Sequence, residues 1–239
     1  MIISLEKDYQ SALLFQPVRR VNGALLGIEV VANFSSREGN IRIPTELVIP
    51  RMTEDEQLIL FYEKLALLEQ HRPQFINHGI CAWININAIH VTAILENVKL
   101  AARLVQLPFL EFTISENFPG LNDGKENLPL LTFSRRYPLI LANFGAGVAT
   151  TRSIFDRLFK RIVMDKFFIH KRIGERSFEP FMKAIVDQVS PFCHTMIVAG
   201  IDNESARQKA VNLRFHAMQG ALWPVMEPEA LQFLLRNHQ

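Results

Sequence analysis

Polar side chains that could take part in chemistry fall singly at the ends of short apolar runs. In chain order they are Glu29, Asn85, Thr113 with Glu116, Asn143, Asp165, Asp202 and Gln219. A few carboxylates gathered in one place would suit a hard divalent cation, which takes oxygen donors and prefers anionic ones. Other common chemistries lack their motifs. The 7 His residues show no H-x-x-x-H or H-E-x-x-H spacing, so a His-ligated zinc site is not indicated. There is no G-x-S-x-G nucleophile elbow and no Gly-rich loop ending in Lys-Ser/Thr. Asn143-Phe144-Gly145-Ala146-Gly147 follows an apolar run and precedes a helical pattern. The third glycine of a dinucleotide fingerprint is missing there, and a tight turn that uses glycine's tolerance of positive φ accounts for the segment equally well.

These residues need strands to carry them. Apolar runs at 13–18, 25–34, 80–86, 109–115, 139–142, 161–165, 195–199 and 215–218 read as strands buried on both faces. Helical patterns lie between them. Thr53 and Glu56 form a T-x-x-E capping box ahead of a segment with Leu58, Phe61, Leu65 and Leu68 at helical spacing. Ser177 is placed to cap a helix carrying Phe181, Met182, Ile185, Val186 and Val189. Pro228 opens a last helix with Leu231, Leu234 and Leu235. Eight strands alternating with helices predict an α/β fold of the (β/α)8 barrel type, with a doubly wound open sheet as the alternative. Residues 19–24 are too few for a crossover helix, so the first two strands must run antiparallel. In such a barrel the functional end is the one where the parallel strands finish, which is where the polar residues above are expected.

Composition narrows the classes. The 239 residues are 49% hydrophobic and 21% charged, which excludes a disordered or fibrous chain and suits one domain over 1–239. Twenty-six Lys and Arg against 24 Asp and Glu give a net charge of +2, too balanced for a nucleic-acid partner. The basic pairs Arg19-Arg20, Arg135-Arg136, Lys160-Arg161 and Lys171-Arg172 read as solvated surface charge. Cys81 and Cys193 read as reduced thiols of a cytoplasmic protein. The opening MIISLEKDYQ has no leader pattern, and no apolar stretch is long enough for a membrane span.

At this point the residues carry a resemblance. Phe15-Gln16-Pro17-Val18 followed by Gly27-Ile28-Glu29-Val30-Val31 resembles the opening of the EAL domain, the cyclic di-GMP phosphodiesterase family. Ile84-Asn85-Ile86-Asn87 is similar to that family's asparagine strand, and Glu111–Glu116 to its E-x-T-E segment. Ala142-Asn143-Phe144-Gly145-Ala146-Gly147 resembles the D-D-F-G-T-G loop. Val163-Met164-Asp165 stands in the K-I-D place, Val198–Asp202 in the A-E-G-V-E place, and Gln219-Gly220 at the closing Q-G. The match runs in order from about residue 13 to residue 225. It implies an EAL-type modified (β/α)8 barrel with one antiparallel strand, in agreement with the hairpin argument.

The departures bear on function. Against the family pattern, the metal-binding Glu is Thr113, the paired Asp residues are Ala142 and Asn143, the catalytic Lys is Val163 and the Glu of A-E-G is Ala199. The phosphate-contacting Arg is Asn33. Gln16, Glu29, Asn85, Glu116, Asp165 and Gln219 remain as family remnants. Two divalent ions that activate water need anionic ligands; of those around the metal pair only Glu29 and Asn85 survive. The resemblance therefore implies no catalytic residues, no metal, no cofactor and little affinity for cyclic di-GMP. It implies a non-enzymatic binding module, close to a degenerate branch of the family: the anti-FlhDC factors of enterobacteria. Such a protein would bind FlhD of the FlhD4C2 flagellar activator, keep it off promoter DNA and so repress motility. The alternative is a degenerate cyclic di-GMP sensor or very weak phosphodiesterase. Partner-contact residues are not identified by sequence. Apolar residues around much of the 58–68 helix are buried either by the same chain or by another protein.

Overall fold

The computed structural model describes residues 2–4, 8–36, 42–43, 45–147 and 151–236; part of the opening segment read for a leader thus lies outside the described residues. Eight strands close a barrel: β1 (Asp8–Arg20), β2 (Leu25–Ser36), β3 (Cys81–Asn85), β4 (Leu110–Ser115), β5 (Leu139–Phe144), β6 (Arg161–Met164), β7 (Thr195–Val198) and β8 (Ala217–Met218). Neighbours from β2 and β3 through to β8 pair in parallel. Only β1 runs the other way, antiparallel to both β8 and β2, and it closes the ring. All eight expected strands are present, and the reversed one is where the short 19–24 connection requires it. The alternative open sheet is not what forms.

The hairpin turn uses Gly23 at φ +88°, where a side chain would be strained. Arg20 N–H donates to the Ala24 carbonyl at 2.7 Å. β1 and β2 outrun the barrel: β3 pairs β2 only from Gly27 to Val30, yet the hairpin ladder continues to Tyr9 and Ser36. The hairpin thus rises as an arm above the end where the parallel strands finish, the mouth.

Two layers of packing fix the strands. Inside the barrel lie Val18, Leu26, Trp83, Ile140, Val163, Ile197 and Ala217. Outside, Ile28, Val30, Ile84, Phe112 and Leu141 meet the helices. Helix α1 (Glu54–Gln70) starts at the expected capping box, with both reciprocal Thr53–Glu56 bonds formed. Its large apolar residues are mostly covered by the chain itself: Leu60, Phe61, Leu65 and Leu68 are buried, and among the large ones Ile59 is exposed, at 49%. Helices α2 (Ala88–Glu96), α3 (Leu128–Arg136), α4 (Lys166–Arg172), α5 (Phe178–Val189) and α6 (Leu231–Arg236) surround the sheet.

Two local expectations fail. Ser177 precedes α5 with helical backbone angles, and its side chain makes no capping bond. Arg161 is not surface charge: it is 6% exposed inside the barrel floor, where the strands begin. There Glu111 accepts from Arg161 Nε at 2.6 Å and Nη2 at 3.1 Å, from Lys160 Nζ at 2.6 Å and from Trp83 Nε1 at 3.0 Å. Arg161 Nη1 also donates to Thr195 Oγ1 at 2.8 Å. Burial alone would push the Glu111 carboxyl up, but the bonds from Arg161 and Lys160 outweigh it and hold it below its ordinary value. Adjacent basic residues gave no sequence signal separating the inward-facing Arg161 from its neighbour. Both cysteines are free and partly buried, and burial pushes the Cys193 thiol up to about 11. Among the described residues no helix is long and apolar enough to cross a membrane.

Candidate functional site

The parallel strands bring the polar residues to one mouth. Glu29 lies in β2 opposite Gln16 of β1 and Trp83 of β3. Asn85 ends β3 opposite Thr113 of β4, and Ser115 stands beside Ala142 of β5. Asp165, Ala199 and Gln219 directly follow β6, β7 and β8. Asn33 lies farther out, on the hairpin arm opposite Ala12.

Once gathered, the remnants bond to the protein. Gln219 Nε2 donates to Glu29 Oε2 at 2.5 Å. Asn85 Nδ2 donates to the Thr113 carbonyl and to Thr113 Oγ1, both at 3.3 Å. Glu116, buried at 3% exposure, accepts from Gly145 N–H at 3.2 Å. Asp165 is the N-cap of α4 and accepts from Phe168 N–H at 2.7 Å, an ordinary capping role. Gln16 Nε2 donates to the Trp223 carbonyl at 2.6 Å. Each amide and carboxylate has a structural partner.

The chain turns tightly at the end of β5, with Asn143 at φ 59° and Gly145 at φ 99°. Gly145 packs on the Phe168 ring, which leaves a prospective Cβ 3.4 Å from Phe168 Cγ. The Q-G pair keeps its glycine for a steric reason. A Cβ on Gly220 would lie 2.2 Å from the Ile201 carbonyl oxygen, so only glycine lets the end of β8 close against the loop after β7.

Sequence reasoning missed a cation at this site. Lys64 of α1 is 7% exposed, and its charge interacts with that of Glu29. Burial drives the Lys64 ammonium down to about 8, with the attraction of Glu29 opposing that shift. Burial raises the Glu29 carboxyl, opposed by the Gln219 bond and by the charges of Lys64 and Lys166. Lys64 stands among Phe61, Leu65 and Leu68 in the sequence, and a lysine within an apolar helical stripe was the available signal. Behind it, His90 is buried and pushed down to about 4, chiefly by burial, with the Gln57 carbonyl 3.3 Å from its Nε2.

The arrangement does not fit a two-metal centre. Among the described residues, no three His, Cys, Asp or Glu side chains converge as ligands. Thr113, Ala142, Val163 and Ala199 offer no anionic oxygen, and Val163 packs among the apolar interior residues. A hard divalent ion beside Glu29 would also meet the nearby positive charge of Lys64.

A ring of seven parallel strands closed by a reversed one, with polar side chains bonded to one another at its mouth, defines the class: a modified (β/α)8 barrel. The EAL domain model matches residues 4–224, and the chain belongs to that family. Anti-FlhC(2)FlhD(4) factor YdiV of Salmonella arizonae is 50% identical over 224 residues, 94% of each chain. Putative anti-FlhC(2)FlhD(4) factor YdiV of Escherichia coli is 44% identical over 237 residues, covering 99% of this chain and 100% of that one. The crystal structure of EAL-like domain protein YdiV superposes with a TM-score of 0.86 at 42% identity, covering 95% of this chain and 96% of that one. The PaMucR phosphodiesterase in complex with c-di-GMP, at 18% identity and TM-score 0.76, covers 93% and 94% and shares the fold alone.

Proposed function

We propose that this chain is a non-enzymatic anti-FlhDC factor: it binds the FlhD subunit of FlhD4C2, prevents that complex from engaging promoter DNA and so lowers flagellar gene expression. The observation that carries this reading is chain-long identity of about half with relatives named as anti-FlhC(2)FlhD(4) factors. The mouth supports it independently, because Glu29 is held by Gln219, Asn85 by Thr113 and Asp165 by the start of α4. A scaffold whose polar mouth residues are already bonded internally works most simply by contact with another macromolecule. No surface is assigned to that contact.

Size-exclusion chromatography of the full chain with purified FlhD4C2, and with FlhD alone, tests the reading. Co-elution with both, together with loss of a promoter-DNA gel shift as the chain is added, is the expected result. Separate elution at tens of micromolar would refute it. Titration calorimetry with cyclic di-GMP and Mn²⁺ is expected to be flat, whereas saturable heat or turnover would favour the degenerate-sensor alternative.

A further inference from the structure

At the opposite end of the barrel from the mouth, a cavity of about 370 Å³ opens beneath the starts of β5, β6 and β7. That volume lies within the range of small-molecule sites, roughly 300–1,000 Å³. Its walls are about half polar and half apolar: Pro138, Leu158 and Phe192 stand among the apolar residues, and the basic lining groups are Arg157, Lys160 and His194. No carboxylate belongs to the lining.

The charges around it do not balance. Glu111 on the floor is shared by two cations, since both Lys160 and Arg161 bond to it. Arg157 is exposed, and among the described residues no carboxylate pairs with it. Of the two permanently charged groups in the lining, Lys160 is paired with Glu111 and Arg157 is not paired with a carboxylate. The Arg157 guanidinium lies 5.5 Å from the centre of the Phe192 ring. Phe192 in turn packs against Phe155, with ring centres 4.8 Å apart at 60°. A guanidinium held over an aromatic ring, with a second amine in the same lining, suits a ligand that carries an anion on a flat ring.

We propose that this floor cavity binds a small organic phosphate monoester borne on a planar ring. The phosphate meets Arg157 and Lys160, and the ring lies against Phe192. The site is separate from the degenerate mouth and does not depend on the flagellar reading.

The test is a titration of the ¹⁵N-labelled full chain with phenyl phosphate, and in parallel with inorganic phosphate, read by backbone amide shifts. Phenyl phosphate is expected to give saturable shifts at residues 157–160 and 192–194. It should bind at least about fivefold more tightly than inorganic phosphate, because only phenyl phosphate has a ring to stack. Arg157→Gln should weaken phenyl phosphate at least about tenfold, the worth of a charge-assisted bond. Arg136→Gln, an exposed arginine outside the lining, should leave it unchanged. The dispersion of each variant's spectrum reports that it is folded. Shifts scattered over surface lysines, equal affinity for the two anions, or unchanged affinity in folded Arg157→Gln would each overturn the proposal.

Discussion

Removing the Glu111 carboxylate should cost more than any other single polar deletion in the barrel. Glu111 is 2% exposed and accepts five hydrogen bonds, from Trp83, Lys160, the Cys81 thiol and twice from Arg161. In Glu111→Ala the Arg161 guanidinium stays buried, with only Thr195 Oγ1 at 2.8 Å and the Cys81 sulfur at 3.6 Å as acceptors. Leaving one charge of a buried pair without its partner costs about 3–5 kcal/mol. For a chain of this size that is a melting temperature lower by roughly 10 °C. The paired replacement Glu111→Leu with Arg161→Met removes both charges together and should recover most of the loss. Urea unfolding of the wild type, the single variants and the pair, read as a double-mutant cycle, measures both effects. A Glu111→Ala loss under about 1 kcal/mol would refute the reasoning, and so would a pair no more stable than the single variant. The pH dependence has a fixed sign. A carboxyl held below its ordinary value contributes stability above the unfolded pKa, and that contribution is lost as pH falls through the folded value. Glu111→Gln should therefore show a shallower fall in stability on the acid side.

Three further outcomes follow from the mouth. Lys64, pushed down to about 8, bears its full burial cost below that pH; between there and its ordinary value of 10.5 only the unfolded chain stays protonated, so stability rises with pH. Lys64→Met should be more stable at pH 7 by roughly 1–3 kcal/mol, net of the lost attraction to Glu29, and should flatten that rise in urea unfolding at pH 7 and 10. Gly220→Ala, whose Cβ would sit 2.2 Å from the Ile201 carbonyl oxygen, should lose about 2 kcal/mol or more in a thermal melt monitored by circular dichroism. Calorimetry with Mn²⁺ should be flat for the wild type and saturable for Thr113→Glu combined with Ala142→Asp and Asn143→Asp, which adds three anionic oxygen ligands; saturable heat from the wild type would contradict the account of its mouth.

Much of this architecture was legible in the sequence, for physical reasons. Strands buried on both faces are continuous apolar runs, so β3 to β7 stood out, and a connection confined to 19–24 left β1 no choice of direction. The Thr53–Glu56 box marked the start of α1 because both of its bonds are local. The residues that escaped notice depend on contacts distant in sequence. Arg161 looked like its neighbour Lys160, and only the closed ring places it opposite Glu111, fifty positions away. Ser177 has the right type for a cap, but the backbone there is already helical, so its hydroxyl is not in position to cap. At the mouth, residue types disclosed which ligands are missing, whereas the bonds that replaced them, Gln219 to Glu29 above all, join segments 190 positions apart.

The reversed strand has a practical result for anyone who labels this protein. β1 descends from the hairpin arm toward the floor, and Ile2–Ser4 pairs antiparallel with Asp8–Gln10, so the first described residues lie on the arm, at the mouth end. Helix α6, by contrast, flanks a crevice shared with Gln74 and His78, just before β3 begins at the floor. A bulky reporter fused at the amino end would shadow one pole of the molecule, and one fused at the carboxyl end would shadow the other. Comparing the two fusions therefore sorts binding events by pole before any contact residue is known.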